Sequence, residues 1–489
     1  MTFKPLISSP AHRLLAQQAL SRAAGAPLIS GNAVELLIDG AAHYDAWLAA
    51  IRGASERVLL ENYIIRDDDI GRAFRDALIE RAQAGVTVAV ITDWVGCLGQ
   101  SRASFWTPLR AVGGHVHRFN PPQLGEAFGW LSRDHRKLLV VDGVLGFVSG
   151  VCISAKWLGD ASRNVPPWRD TGVAIRGPAV AEIEAAFRQS WNGVVGAALP
   201  PFPVASEPMA RAGSTDVRII ATQPASASMY RLDQLIAAMA SKTLWLTDAY
   251  FVGVSPYVQA LIAAARDGVD VRLLVPGSSD IPVVAGLSRA GYRPLLKAGI
   301  RVFEWNGSML HAKTAVADGQ WARVGSSNLN IASWLSNHEI DVAVEDEIFA
   351  GQLAAQYERD LENATEIVLV PRQHRHRSTE KVRRSEARPP RVRHGGGSTS
   401  RAAVSALRVA NSVGAVLTNR RVLGDASVGP MLAGFAVLLV LGGVALIWPA
   451  AVAWPFALIV AWFALNLGVR SARLRARQKR YAQASGDGD

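Results

Sequence analysis

One short spacing occurs twice in this chain, and it limits the possible folds more than any other feature. The stretch DHRKLLVVDG (134–143) sets His135, Lys137 and Asp142 in the order His-x-Lys-x4-Asp. MLHAKTAVADG (309–319) repeats it with His311, Lys313 and Asp318. A strand that opens on Asp134, His135, Arg136 and Lys137 before an unbroken Leu/Val run spends four polar side chains where a core would take none. Those residues therefore have work to do.

The residues around each copy repeat as well. RVLLENYII (57–65) has its counterpart in TLWLTDAYF (243–251), and GGHVHRFN (113–120) in AGIRVFEWN (298–306). HYDAWLAAIRGA and IGRAFRDALIERAQAG read as helices by their apolar spacing, the second closing at Gly85. VELLIDG and VTVAVITD read as strands. SPYVQALIAAARDG leading into VDVRLLVPG gives the same helix-to-strand order in the second half. The offset between halves stays near 180 residues, far too long for a solenoid. The expected fold class is therefore α/β: two tandem α/β/α sandwich units related by a pseudo-two-fold axis. They occupy residues 33–200 and 201–370, after a lead-in over 1–32.

Charge separates residues 1–370 from the C-terminal segment. Residues 371–489 hold 19 Lys and Arg against 5 Asp and Glu, a local balance of +14. With a net charge of +11, that leaves −3 for residues 1–370. A basic groove for DNA is not what this distribution describes, so nucleic acid is an unlikely partner. Residues 371–400 read as a basic flexible linker, and 401–427 as an amphipathic juxtamembrane helix. Beyond them lie two uncharged apolar runs, 428–448 and 451–469. Each is long enough to cross a bilayer, so 428–470 is expected to form a transmembrane helical hairpin. Arg420 and Arg421 before it, and Arg470, Arg473, Arg475, Arg477, Lys479 and Arg480 after it, put both ends on the cytoplasmic side. Residues 471–489 are then a basic cytoplasmic tail. Cys97 and Cys152 make no disulfide framework, and no secretory signal is evident at the N-terminus.

A histidine and a lysine two apart on a strand share one face. If two such strands meet at the pseudo-axis, two imidazoles and two ammonium groups enter one cleft. That set suits a phosphate. The lysines neutralise its oxygens, one imidazole attacks phosphorus and the other protonates the leaving oxygen, with no metal and no cofactor required. A single copy would read as a core histidine with its hydrogen bonds satisfied; two copies in matching contexts favour a site.

At these residues the chain resembles the phospholipase D superfamily, whose signature is the doubled motif trailed by Gly-Ser-x-Asn. The second copy has Gly325, Ser326 and Asn328, whereas the first has Ser149 at the Gly position and Cys152 at the Asn position. The resemblance implies a catalytic set of His135, Lys137, Asp142, His311, Lys313 and Asp318. His135 would be the nucleophile that forms a phosphohistidine and His311 the acid/base, with the opposite order as the alternative. Ser326 and Asn328 would contact phosphate. Asp170 and Glu339 would orient the imidazoles, the plain alternative being local capping or salt bridging. Asp142 and Asp318 would hold the active-site strands and loops together.

Within that superfamily, residues 33–365 look like bacterial cardiolipin synthases, in a shorter form that begins directly with the catalytic region. The implied reaction is transphosphatidylation of phospholipids, with phosphatidylglycerol as the expected substrate, at the cytoplasmic face of the bacterial inner membrane. A phospholipase D-type hydrolase uses the same chemistry with water as acceptor. A nuclease, and a membrane scaffold with a site decayed at Cys152, are the remaining alternatives. Tyr63, Trp94, Tyr250 and Phe251 lie near strand ends facing the presumed cleft; core packing is their expected role, with contact to lipid chains as the alternative. Cys97 is expected to be a small packing residue. His374 and His376 are expected to be solvated.

Overall fold

The computed structural model describes residues 10–122, 132–195, 210–369 and 420–423, together with isolated helical residues between 439 and 468. The chain opens with helix α1 (Pro10–Ala24). The first half then runs β1 (Ile29–Ile38), α2 (Asp39–Arg52), β2 (Arg57–Asn62), α3 (Asp69–Gln83), β3 (Thr87–Asp93), α4 (Thr107–Ala111), β4 (His115–Phe119), β5 (Lys137–Val141), β6 (Leu145–Ser149), β7 (Thr171–Arg176) and α5 (Val180–Val195). The second half runs β8 (Thr215–Thr222), α6 (Ser228–Met239), β9 (Thr243–Thr247), α7 (Ser255–Arg266), β10 (Asp270–Pro276), α8 (Pro282–Lys297), β11 (Arg301–Trp305), β12 (Thr314–Ala317), β13 (Trp321–Gly325), α9 (Ile331–Leu335), β14 (Glu339–Glu345), α10 (Glu347–Glu362) and β15 (Ala364–Leu369).

Strand order shows the duplication directly. The first half reads β1-β7-β6-β5-β2-β3-β4 and the second β8-β14-β13-β12-β9-β10-β11, the same permutation. The two join where β1 pairs antiparallel with β8 across a register shift between Ile29 and Asn32. In each half three neighbouring strands are parallel (β2-β3-β4 and β9-β10-β11) and the rest antiparallel. The parallel strands need helical crossovers, which α3, α7 and α8 supply. β15 extends the second half beyond β11.

Strands covered on both faces carry apolar residues on both. In β2, Val58 and Leu60 face the helices of their own half, packed with Trp47 of α2 and with Phe74 and Leu78 of α3. Leu59 faces the other way, into a central layer. There Phe187 and Trp191 of α5 meet Val173, Val324, Val342 and Leu353 of α10, drawing on both halves. The second half repeats the outer layer with Leu232, Leu261 and Leu295. Local signals set the helix ends: Asp68 accepts from Gly71 N at the start of α3, and Asp346 from Phe349 N at the start of α10.

The lead-in is helical: α1 packs on α6 of the second half, and its Gln17 bonds to Arg218 of β8 and Glu345 of β14. Two departures from the sequence expectations concern the flanks. β1 begins at Ile29, inside the segment expected to precede the first unit. Residues 420–423, expected within a helix, form a strand β16 (Arg420–Leu423) parallel to β15. A four-residue run containing Val422 and Leu423 extends an open sheet edge more readily than it nucleates a helix. The remainder of 371–427, His374 and His376 lie outside the described residues. So does nearly all of the hairpin expected over 428–470. Among the described residues no helix is long and apolar enough to cross a membrane.

Candidate active site

The two hairpins that carry the motifs are built alike. Asp142 (φ 52°) and Gly143 (φ 69°) form the turn between β5 and β6, and Asp318 (φ 53°) and Gly319 (φ 66°) the turn between β12 and β13. Two left-handed residues in succession, opening a three-residue loop in each hairpin, favour Asp followed by Gly, the types that adopt positive φ most readily. Each carboxylate then ties down the start of a neighbouring strand. Asp142 accepts from the backbone N of Ser55, Glu56 and Arg57, and Asp318 from Ser241, Lys242 and Thr243. These bonds hold both carboxyls below the usual carboxylate range, against the opposing effect of burial. Five residues of strand, about 17 Å, separate Asp142 from Lys137. Neither motif aspartate reaches the cleft, so within the implied catalytic set of six they are fold residues.

At the other end of the hairpins, the histidines hang from the opposite half. His135 N donates to His338 O (2.9 Å) and His338 N to Arg133 O (2.8 Å). Likewise His311 N donates to Arg169 O (2.7 Å) and Arg169 N to Met309 O (2.9 Å). His338 and Arg169 immediately precede the two orienting carboxylates, so the same strap delivers them. His135 Nδ1 lies 2.9 Å from Glu339 Oε2, and His311 Nδ1 2.7 Å from Asp170 Oδ2. Each carboxylate therefore serves the histidine of the other half, a crossing that the sequence did not disclose.

Different donors complete the two pairs. Glu339 accepts from Ser326 Oγ (2.6 Å) and Asn337 Nδ2 (3.1 Å). Asp170 accepts from Trp157 Nε1 (2.8 Å) and Thr171 N (2.9 Å). The departure at Gly150 fits this: a Cβ there would lie 2.2 Å from Asp170 Oδ1. The serine of the second copy has no room in the first, and the Trp157 indole supplies the missing donor. Arg169 holds the Asp170 segment further by donating to its carbonyl and to Thr171 Oγ1, and by a bidentate pair with Asp360 (2.8 and 2.9 Å) of α10. Arg136 plays the matching part for Glu339, whose carbonyl it meets at 3.2 Å.

Lys137 and Lys313 are fully buried behind the histidines. Lys137 Nζ donates to His135 O (2.5 Å), and Lys313 Nζ sits 3.1 Å from His311 Nε2. Burial, opposed by Asp170 and reinforced by Lys137, lowers Lys313 to about 8. Burial also lowers His135 to about 4, with Glu339 opposing and Lys137 adding to it. It lowers His311 to about 4, with Lys313 adding and Asp170 opposing. Both rings are thus neutral at pH 7. Nδ1–H donates to the carboxylate; Nε2 of His135 keeps its lone pair for a substrate, while Nε2 of His311 meets Lys313 Nζ. Asp170 lies well below its usual range; burial works against this, and His311 and Lys313 outweigh it.

His135 and His311 line a single cleft of ≈ 370 Å³. Asn328 and Cys152 face it from equivalent positions of the two halves. Ser326 is not among the residues that line the cleft; its hydroxyl is bonded to Glu339. Tyr63 and Tyr250 do face the cleft, and they line it rather than fill the core, edge-on to His135 (4.9 Å between ring centres) and His311 (5.8 Å). Phe251 and Cys97 are buried, as expected. Reasoning from sequence overlooked Trp157, Trp168, Arg169 and Asp360. The cluster WRD next to Asp170 was the available signal, and aromatics read equally well as core. Among the described residues no group of His, Cys, Asp and Glu could hold a metal.

Tandem α/β halves that place two His-x-Lys motifs across one cleft define a phospholipase D-like protein. The match to a solved structure agrees on the fold: phosphatidylserine synthase from Haemophilus influenzae superposes with a TM-score of 0.53 at 14% identity, covering 72% of this chain and 91% of that one. A family profile described as "Cardiolipin synthase, PLD-like domain" matches residues 233–363. Cardiolipin synthase A of Pseudomonas aeruginosa is 34% identical over 354 residues, 71% of each chain. Cardiolipin synthase of Alkalihalophilus pseudofirmus is 33% identical over 346 residues, 70% of this chain and 68% of that one. The chain belongs to the cardiolipin synthase family and is an enzyme of the phosphatidyltransferase type.

Proposed function

We propose that this cleft transfers a phosphatidyl group from one phosphatidylglycerol to another, giving cardiolipin and glycerol. His135 Nε2 attacks the donor phosphorus while His311, which takes up a proton from solvent as the anionic substrate binds, gives that proton to the departing glycerol oxygen. The P–O bond breaks and a phosphatidyl–histidine forms. His311, now neutral, takes the proton of the acceptor's primary hydroxyl as that oxygen attacks phosphorus, and the P–N bond breaks. A resting site with two neutral rings suits the first nucleophilic step. The phosphate anion, once bound, raises the proton affinity of the second ring. Lys137, Lys313 and Asn328 balance charge on the phosphoryl oxygens; Asp170 and Glu339 fix the tautomers.

The observation that carries this reading is the crossed pairing, which ties both Nδ1 atoms to carboxylates and sets both rings in one cleft. Residues 428–470, flanked by arginines, would anchor the enzyme in the bacterial cytoplasmic membrane with both catalytic halves on the cytoplasmic side. Residues 371–400 would act as the linker. The test is purified protein in mixed micelles of labelled phosphatidylglycerol, without added metal. Cardiolipin plus glycerol, lost in His135→Ala and His311→Ala, is the expected result. Phosphatidic acid alone would make the enzyme a hydrolase.

A further inference from the structure

The cleft is symmetric in its reacting groups and asymmetric at its rim. Histidine, lysine and tyrosine recur in both halves, but the cations that line the opening, Arg66, Arg133 and Lys156, all come from the first half. The motif offset of 176 residues sets Lys156 against Ala332 and Arg133 against Met309. The segment after β9 that answers to Arg66, Phe251 to Val254, is uncharged. Facing the cations across the opening, the second half offers Asp280, Ile281, Val284 and Ala332. Ile281, Ile331 and Leu335 there are exposed apolar residues.

The cationic side is also built rather than loose. Asp68 accepts from Ser154 Oγ (3.1 Å) and Ala155 N (2.8 Å), fixing the turn that carries Lys156. Arg66 N donates to Ile153 O (3.0 Å), which pins Arg66 beside that turn, and its Nε reaches Gln100 Oε1 (2.5 Å). Lys156 Nζ lies over the Trp168 ring (5.5 Å), and Trp168 lies against His311 (5.8 Å between ring centres). Lys156 is thus one indole away from the imidazole proposed to deprotonate the acceptor.

We infer that Arg66, Arg133 and Lys156 form an acceptor subsite that holds the phosphodiester of the second lipid while its terminal hydroxyl enters the cleft. This rests on the transfer proposed above and adds what selects the acceptor. In phosphatidylglycerol a three-carbon bridge separates the hydroxyl from an anionic phosphate, so one molecule can put its hydroxyl at His311 and its charge at Lys156. Water and free glycerol carry no charge for the rim to hold. The cations would therefore raise the local concentration of lipid acceptor over water without touching the phosphorus that reacts.

The experiment compares wild type, Lys156→Gln, Arg66→Gln, the double variant and Lys156→Arg in phosphatidylglycerol micelles. Three products are read in parallel: cardiolipin, phosphatidic acid, and phosphatidylglycerol labelled by exchange with radioactive glycerol. In the double variant, cardiolipin formation should fall at least tenfold further than glycerol exchange, with the phosphatidic acid share rising. Lys156→Arg should recover most of the cardiolipin. Equal losses in cardiolipin formation and exchange would overturn the subsite, since the cations would then serve the chemistry or the fold. A wild type that exchanges glycerol but makes no cardiolipin would instead overturn the transfer reading, and the subsite with it.

Discussion

His311 is held by Asp170 of the other half of the chain, Nδ1 to Oδ2 at 2.7 Å, and the reciprocal pair His135–Glu339 closes at 2.9 Å. Neither half can orient its own histidine. Fusing the two copies in one chain makes the site a property of their interface, which explains why the strap through Arg169 and His338 and the central apolar layer are both shared.

Replacing Asp170 with Asn, or Glu339 with Gln, keeps the shape of each pair but lets the amide NH2 group face the ring. The imidazole then loses its enforced tautomer. Turnover should fall by about 10²–10⁴-fold in each variant with KM changed far less. Full activity in either variant would show that the carboxylate only caps the strap.

Burial sets the pH dependence. Free-enzyme kcat/KM should fall as pH rises through about 8, where Lys313 loses its proton and its hold on phosphate. On the acid side it should fall toward pH 4, where His135 becomes protonated and the nucleophile is lost. Lys313→Arg keeps its charge above pH 8, so its residual activity should lack the alkaline limb. An unchanged limb in that variant would assign it to another group.

Asp142→Ala separates fold from chemistry. It removes the acceptor for three backbone N–H groups at the start of β2, and should cost about 1–2 kcal/mol of stability. A lower midpoint in thermal or denaturant unfolding, with kcat within a few-fold below the transition, is the expected pair of results. Loss of kcat at full stability would return Asp142 to the catalytic set.

Asp360→Ala should be more damaging than its distance from substrate suggests. It takes the bidentate partner from the Arg169 guanidinium, 6% exposed, and leaves it only Asp39 at 3.5 Å, so stability should fall measurably but by less than the ~3–5 kcal/mol of a fully unpaired buried charge. Arg169→Met in the same chain should recover part of that stability without restoring turnover, because the bond to the Asp170 carbonyl is also gone. Equilibrium unfolding of the single and double variants reads this coupling.

Much of this fold could be read from the chain because its signals are local. Runs such as VTVAVITD and the Asp-Gly pairs at 142–143 and 318–319 specify strand and turn without tertiary context, whereas His135, His311 and Lys313, expected on strands, lie just before β5 and β12. The crossed carboxylates could not be read in the same way. Asp170 comes after the first motif and Glu339 after the second, and only the packing of the halves carries each to the far histidine. Trp157 was hidden by its residue type, since an indole that donates to a catalytic carboxylate and one that fills a core look the same in sequence. The docking of α1 on α6 is likewise set by packing, for the residues of α1 point to no partner.

The most direct test of a single shared site is trapping the intermediate. Wild type, His135→Ala and His311→Ala would be mixed with phosphatidylglycerol labelled in its phosphatidyl group, quenched in denaturant within one turnover, digested, and the labelled peptide located by mass spectrometry. The predicted result is an acid-labile phosphatidyl adduct on His135 in the wild type that is absent from His135→Ala and strongly reduced in His311→Ala, which lacks the acid for the departing glycerol. An adduct on any residue other than these two histidines, or cardiolipin formation by His135→Ala at the wild-type rate, would contradict a paired-histidine site.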